Sequence, residues 1–73
     1  MAIYEAKTDV SGAVWKIVTR VGQKLEPGET IMIIESMKME IPVIAEDGGT
    51  IRQLRVEEGS SVSEGDVVAT LEN

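Results

Sequence analysis

The sequence reads Gly-Gln-Lys-Leu-Glu-Pro-Gly-Glu at residues 22–29 and Gly-Ser-Ser-Val-Ser-Glu-Gly-Asp at residues 59–66. Each stretch begins with a glycine, has an apolar residue midway, and closes with a second glycine and an acidic residue. Glycine adopts positive φ angles without a steric clash from Cβ, so glycines that recur at a fixed spacing mark places where the chain reverses. Each stretch is therefore predicted to form a turn, a short strand and a second turn.

These stretches belong to a longer internal repeat. A shift of 37 positions, which places Gly22 on Gly59, also aligns residues 12–35 with residues 49–72. Self-similarity at a fixed spacing indicates that one structural unit is built twice. Residues 12–35 are called the first copy below, and residues 49–72 the second copy.

Short runs of β-branched residues predict strands at residues 31–34, 41–44 and 67–69. Pro42 lacks a backbone donor, which favours an edge strand or the start of a strand at its position. Residues 14–21 have an apolar spacing that a helical turn would also give, but the second copy preserves only part of it. A strand with a bulge fits both copies and is the structure predicted there.

Two copies of about four short strands predict a single all-β domain over residues 1–73. The expected architecture is a flattened β-barrel or sandwich of two four-stranded halves related by a pseudo-twofold axis. Residues 37–39, Met-Lys-Met, connect the copies and are so few that a tight hairpin is expected, with Lys38 at its tip. The other lysines lie away from this junction: Lys7, Lys16 and Lys24.

The composition excludes several classes of function. The chain has no histidine and no cysteine, which removes imidazole acid–base catalysis, a Ser-His-Asp triad, imidazole and thiolate metal ligands, and disulfides. The net charge of −6 opposes nucleic-acid binding, which depends on clustered Lys and Arg. No apolar run approaches the roughly 20 residues that span a bilayer. We therefore expect a soluble, cytoplasmic protein with few routes to catalysis of its own and without metal, membrane or nucleic-acid partners. Residues 46–49 lack the alternating oxygen ligands of a calcium loop and are predicted to form a turn.

The connection between the copies carries a family resemblance. Residues 35–40, Glu-Ser-Met-Lys-Met-Glu, resemble the Glu-Ala-Met-Lys-Met signature of biotinyl domains from biotin-dependent carboxylases. The glycine-containing stretches at residues 12–14 and 21–29 are similar to the first half of these domains, and residues 49–51 and 58–66 to the second half. The chain is identified as a member of the biotinyl/lipoyl attachment family, whose fold is called a barrel-sandwich hybrid.

The resemblance implies a carrier that is not itself an enzyme. Lys38 would be linked covalently to biotin by a biotin protein ligase, which would recognise the flanking Met37 and Met39. Biotin on Lys38 would then carry a carboxyl group, as carboxybiotin, from a biotin carboxylase to a carboxyltransferase. The isolated chain is expected to be monomeric.

Two alternatives remain open at the sequence level. Ser36 stands where biotinyl domains usually have alanine, and a small polar residue there is also similar to lipoyl domains, so lipoate is an alternative group on Lys38. The other alternative is an unmodified barrel-sandwich module that only mediates protein contacts. The chain also departs from the family pattern at residues 8–12, which lack the proline that is common in the family's first turn.

Overall fold

The computed structural model describes residues 2–73, which form eight β-strands. Their bounds are β1 (Ile3–Lys7), β2 (Gly12–Ile17), β3 (Lys24–Leu25), β4 (Glu29–Ser36), β5 (Met39–Ala45), β6 (Gly49–Leu54), β7 (Ser61–Val62) and β8 (Val67–Glu72). Within this part of the chain, no helix has the length and apolar character needed to cross a membrane.

The strands form two antiparallel sheets. One sheet has the order β1-β8-β6-β3 and the other has the order β5-β4-β2-β7, and every neighbouring pair is antiparallel. The second order follows from the first when each strand is replaced by its counterpart in the repeat. The predicted sandwich of two four-stranded sheets is therefore confirmed.

Each copy contributes strands to both sheets. In the first copy, β2 and β4 lie in one sheet, while the short β3 pairs with β6 of the second copy. The N–H of Gly22 donates to the Ile51 carbonyl at 2.8 Å, and the N–H of Gly59 donates to the Val14 carbonyl at 2.7 Å. Because the turns cross between the sheets in both directions, the two copies hold each other in place.

The irregular features that the sequence predicts occur where expected. The pairing of β2 with β4 shifts between Val14 and Lys16, and the pairing of β6 with β8 shifts at the equivalent place, between Ile51 and Gln53. These shifts confirm a bulge in both copies. Pro42 lies within β5, an outer strand, where a missing backbone donor is tolerated.

The core lies between the two sheets and is built from both copies. Fully buried residues occupy equivalent positions, such as Ile34 and Leu71, because the two copies repeat the same strand pattern 37 positions apart. Full burial of a side chain of this size stabilises the fold by about 1.5–3 kcal/mol. The buried apolar residues are Ala6, Val14, Leu25, Ile31, Met32, Ile34, Val43, Ala45, Ile51, Val62, Val68, Ala69 and Leu71.

The hairpin of β4 and β5 extends along the molecule, which measures 36 × 17 × 17 Å. The two strands pair from Ser36 opposite Met39 at the hairpin to Glu29 opposite Ala45. Beyond Ala45 the chain turns back, and the Gly48 N–H donates to the Ala45 carbonyl at 3.1 Å. The turn therefore lies at the far end from the hairpin tip. Of the residues 46–49 predicted to form it, 46–48 do so and Gly49 already begins β6.

Candidate attachment site at the hairpin tip

The hairpin turns through two residues, Met37 and Lys38. Their φ angles are 51° and 65°, in the left-handed region that a type I′ turn requires at both central positions. The predicted tight hairpin with Lys38 in its turn is confirmed, but the connection is one residue shorter than residues 37–39. Met39 already pairs with Ser36 and belongs to β5.

The side chains around the turn project into solvent. Met37 is 93% exposed and Met39 is 62% exposed, and Lys38 between them is also exposed. Single exposed apolar side chains are common on protein surfaces, and contiguous ones mark binding surfaces more often than isolated ones do. A primary amine is thus presented between two apolar thioethers.

Two carboxylates lie below the turn on one face of the sheet. Glu35 and Glu40 are directly opposite each other, and Ala13 of β2 is the neighbour of Glu35 on its other side. Opposed residues of a ladder project from the same face, and like charges at this spacing are slightly destabilising. Both glutamates are exposed, so solvent screens their repulsion.

The end of the hairpin next to the turn is tied to neighbouring loops by two serines. The Ser36 hydroxyl donates to the Ser11 carbonyl at 2.7 Å, and the Ser11 hydroxyl accepts from the Glu64 N–H at 2.9 Å. Gly12 supports the same region, because a Cβ at this position would overlap the Glu35 carbonyl oxygen. The repeat singled out Gly12, but no sequence signal indicated the contact between Ser36 and Ser11.

The other lysines occupy strands. Lys7 ends the outer strand β1, Lys24 lies in the short β3, and the Lys16 ammonium is 5.9 Å from the centre of the Trp15 ring. None of these three is in a hairpin turn. Among residues 2–73, no group of three or more Asp or Glu side chains is arranged to hold a metal ion.

The arrangement can present an amine but offers little to activate it. The sequence contains no histidine, and the exposed tip excludes no water from Lys38. The fold and the site together define a small carrier-type domain, a two-sheet β sandwich that displays one lysine on a rigid hairpin.

Comparison with known proteins agrees with this class. The family model described as biotin-requiring enzyme, the biotin/lipoyl family, matches residues 5–71. The biotin/lipoyl attachment protein of Bacillus subtilis (strain 168) is 41% identical over 64 residues, which are 88% of this chain and 88% of that protein. The biotinylated protein TB7.3 homolog of Mycobacterium leprae (strain TN) is 30% identical over 67 residues, 92% of this chain and 94% of that protein.

A solved structure has nearly the same fold. The urea carboxylase of Kluyveromyces lactis contains a region that superposes with a TM-score of 0.93 and 32% identity, covering 99% of this chain but only 6% of the carboxylase. The chain belongs to the biotinyl/lipoyl attachment family.

Proposed function

We propose that Lys38 is the covalent attachment site for biotin and that the chain serves as a biotin carrier in a biotin-dependent carboxylase system. The observation that carries this proposal is the exposed Lys38 at a two-residue turn, between Met37 and Met39. When attached, biotin would carry a carboxyl group between a biotin carboxylase and a carboxyltransferase. ATP-driven loading by a biotin protein ligase would take place in the cytoplasm.

The residues at the tip fit an attached group of this kind. The Lys38 ε-amine would attack the acyl carbon of biotinyl-adenylate on the ligase, lose a proton, and form an amide as AMP leaves. The sequence contains no histidine, and the ligase would remove that proton. Within the described chain, no lysine other than Lys38 lies in a hairpin turn clear of its own sheet.

The hairpin holds the attached group away from the body of the domain on a rigid support. Loops on rigid scaffolds are frequent functional positions, and here the turn is fixed by the ladder of β4 with β5 and by the Ser36 to Ser11 hydrogen bond. Tethering raises the effective concentration of the attached group at both active sites, because the group reaches each of them by local motion rather than by free diffusion. The carboxylase of Kluyveromyces lactis, in which a region of this fold occurs, supports carboxylase domains as the class of partner.

Lipoate is the second candidate for the group on Lys38. The Bacillus subtilis relative, named for both groups, is 41% identical over most of both chains. Ser36 is also compatible with either group. A carrier that accepts both would be loaded by a lipoate ligase at the same lysine.

Intact-mass measurement of the purified chain after incubation with biotin protein ligase, ATP and biotin tests the attachment. We expect the mass of one biotinyl group to be added to the chain and to the Lys24→Arg control, and none to Lys38→Arg. Loading of Lys38→Arg would refute the assignment, as would no loading of the unaltered chain. A parallel incubation with lipoate ligase, ATP and lipoate separates the second candidate.

We also propose that the ligase contacts Met37 and Met39. Replacing Met39 with alanine removes most of an exposed apolar side chain while leaving its backbone pairing with Ser36 in place. The initial rate of loading should therefore fall in Met39→Ala. An unchanged rate would mean that Met39 plays no part in recognition by the ligase.

A further inference from the structure

Among residues 2–73, the methionine sulfur atoms are divided between the core and the hairpin tip. Met32 is 0% exposed within β4, whereas Met37 and Met39 are 93% and 62% exposed on either side of Lys38. The sequence has no cysteine, so methionine contains all of its sulfur. Over residues 2–73, a sulfur oxidant in solvent therefore finds its accessible targets at the tip and not in the core.

We propose that Met37 and Met39 form an oxidation-sensitive site that controls the loading of Lys38, an inference that rests on the function proposed above. The oxidant is a hydroperoxide. The thioether sulfur attacks one peroxide oxygen, an S–O bond forms and the O–O bond breaks, and the proton of the transferred oxygen passes to the leaving oxygen. Sulfur is oxidised to the sulfoxide, and the peroxide is reduced to water or an alcohol.

The fold tolerates this change. Met37 is almost wholly exposed, so little packing is lost when its side chain becomes polar. Met39 is held by backbone pairing with Ser36, which oxidation of the sulfur leaves intact. Met32, whose oxidation would place a polar sulfoxide among apolar side chains, is shielded by the two sheets. Oxidation therefore changes the surface around Lys38 and spares the structure that holds it.

The changed surface opposes docking of the ligase. The other residues at the turn and directly below it are polar, namely Glu35, Ser36 and Glu40, so the two thioethers are the apolar surface of the tip. A ligase surface that packs against a thioether would have to bury a polar sulfoxide without a hydrogen-bond partner. Lys38 would then stay unloaded until a methionine sulfoxide reductase restores the thioethers.

The test compares the rate of biotin addition to the full chain before and after treatment with hydrogen peroxide, with oxidised positions mapped by peptide mass spectrometry. We expect sulfoxide at Met37 and Met39 but not at Met32, and an unchanged thermal midpoint. The initial rate should fall at least about fivefold. This corresponds to about 1 kcal/mol, the lower end of the cost of burying one polar group without a hydrogen-bond partner. Treatment with both methionine sulfoxide reductases, one for each sulfoxide epimer, should restore the rate.

The double variant Met37→Leu/Met39→Leu is the matched control, because it retains Met1 and Met32. Whatever its untreated rate, its ratio of treated to untreated rate should stay near one. An oxidised wild-type chain that is loaded as fast as the untreated chain would overturn the inference, and so would an equal loss in the double variant. If the untreated chain took up no biotin at all, the proposed function itself would fail, and this inference with it.

Discussion

Tyr4 shows how one side chain joins distant parts of this small fold. Its hydroxyl donates to the Gly48 carbonyl at 2.6 Å, which links β1 to the turn that follows β5. Burial raises the pKa of Tyr4 above its ordinary value, and the nearby carboxylates of Asp47 and Glu46 act in the same direction, whereas a backbone hydrogen bond at Asp47 opposes them. The neutral phenol is thus the form that the folded chain favours.

The raised pKa of Tyr4 predicts a loss of stability at alkaline pH. In the unfolded chain the phenol ionises near 10.0, before it does so in the folded chain. Its contribution to stability is therefore complete below that pH and is lost as the pH rises through the higher pKa of the folded state. The free energy of unfolding should fall more steeply above this pH in the wild type than in Tyr4→Phe.

Direct titration checks the same expectation. The sequence contains one tyrosine, so the near-ultraviolet absorbance of tyrosinate reports on Tyr4 alone. The midpoint in the folded chain should lie above the midpoint in urea-unfolded chain. Coincident midpoints would contradict the assignment.

At the scale of elements, the hairpin shows what the sequence could and could not predict. The position of Lys38 followed from the repeat, because the end of the first copy must be joined to the strand that leads to the second. The turn type could not be predicted, since Met37 and Lys38 replace the Asn-Gly pair that normally identifies a type I′ turn. Because Ser36 pairs with Met39, only Met37 and Lys38 are left to form the turn. Both therefore adopt positive φ angles that their residue types disfavour.

This conflict predicts that the turn can be stabilised at the expense of function. A residue other than glycine in the left-handed region costs about 1–2 kcal/mol, and asparagine tolerates that region better than methionine does. Met37→Asn should therefore raise the free energy of unfolding in urea by about 0.5–1 kcal/mol, while slowing biotin addition to Lys38. Met39→Asn is the control, because an extended strand position gains nothing from asparagine. Equal gains in both variants would show that the turn is not strained.

At the scale of the whole molecule, each copy contains three strands rather than the four predicted, because β1 and β5 lie outside residues 12–35 and 49–72. The repeat did predict two related four-stranded sheets and a bulge in each copy. It did not predict that the short strands β3 and β7 exchange between the sheets. That exchange depends on which carbonyl the turn N–H groups meet in three dimensions, Ile51 for Gly22 and Val14 for Gly59. Backbone hydrogen bonds between segments that are distant in the chain produce no recognisable pattern in the sequence.

Two glycines at equivalent positions of the repeat allow effects on stability to be distinguished from effects on the attachment site. Gly12 and Gly49 are equivalent, and each lies against the last residues of a long strand, Glu35 of β4 and Glu72 of β8. A Cβ on Gly12 would overlap the Glu35 carbonyl oxygen, and a Cβ on Gly49 would lie 2.6 Å from the Glu72 carbonyl oxygen. Gly49 also has a φ of 107°. The first contact lies directly below Lys38, and the second follows the turn at the far end of the molecule.

Alanine at these two glycines should therefore have different consequences. Gly12→Ala is expected to lower the free energy of unfolding by about 1–3 kcal/mol through overpacking, and Gly49→Ala by about 1–2 kcal/mol more because of its positive φ. The rate of biotin addition per folded molecule should fall about tenfold only in Gly12→Ala, because displacement of a reacting group lowers the rate of its reaction. Urea unfolding gives the stabilities, and circular dichroism gives the folded fraction by which each rate is normalised. If Gly49→Ala slowed loading as much as Gly12→Ala, loading would depend on the stability of the whole sandwich rather than on the geometry directly below the hairpin turn.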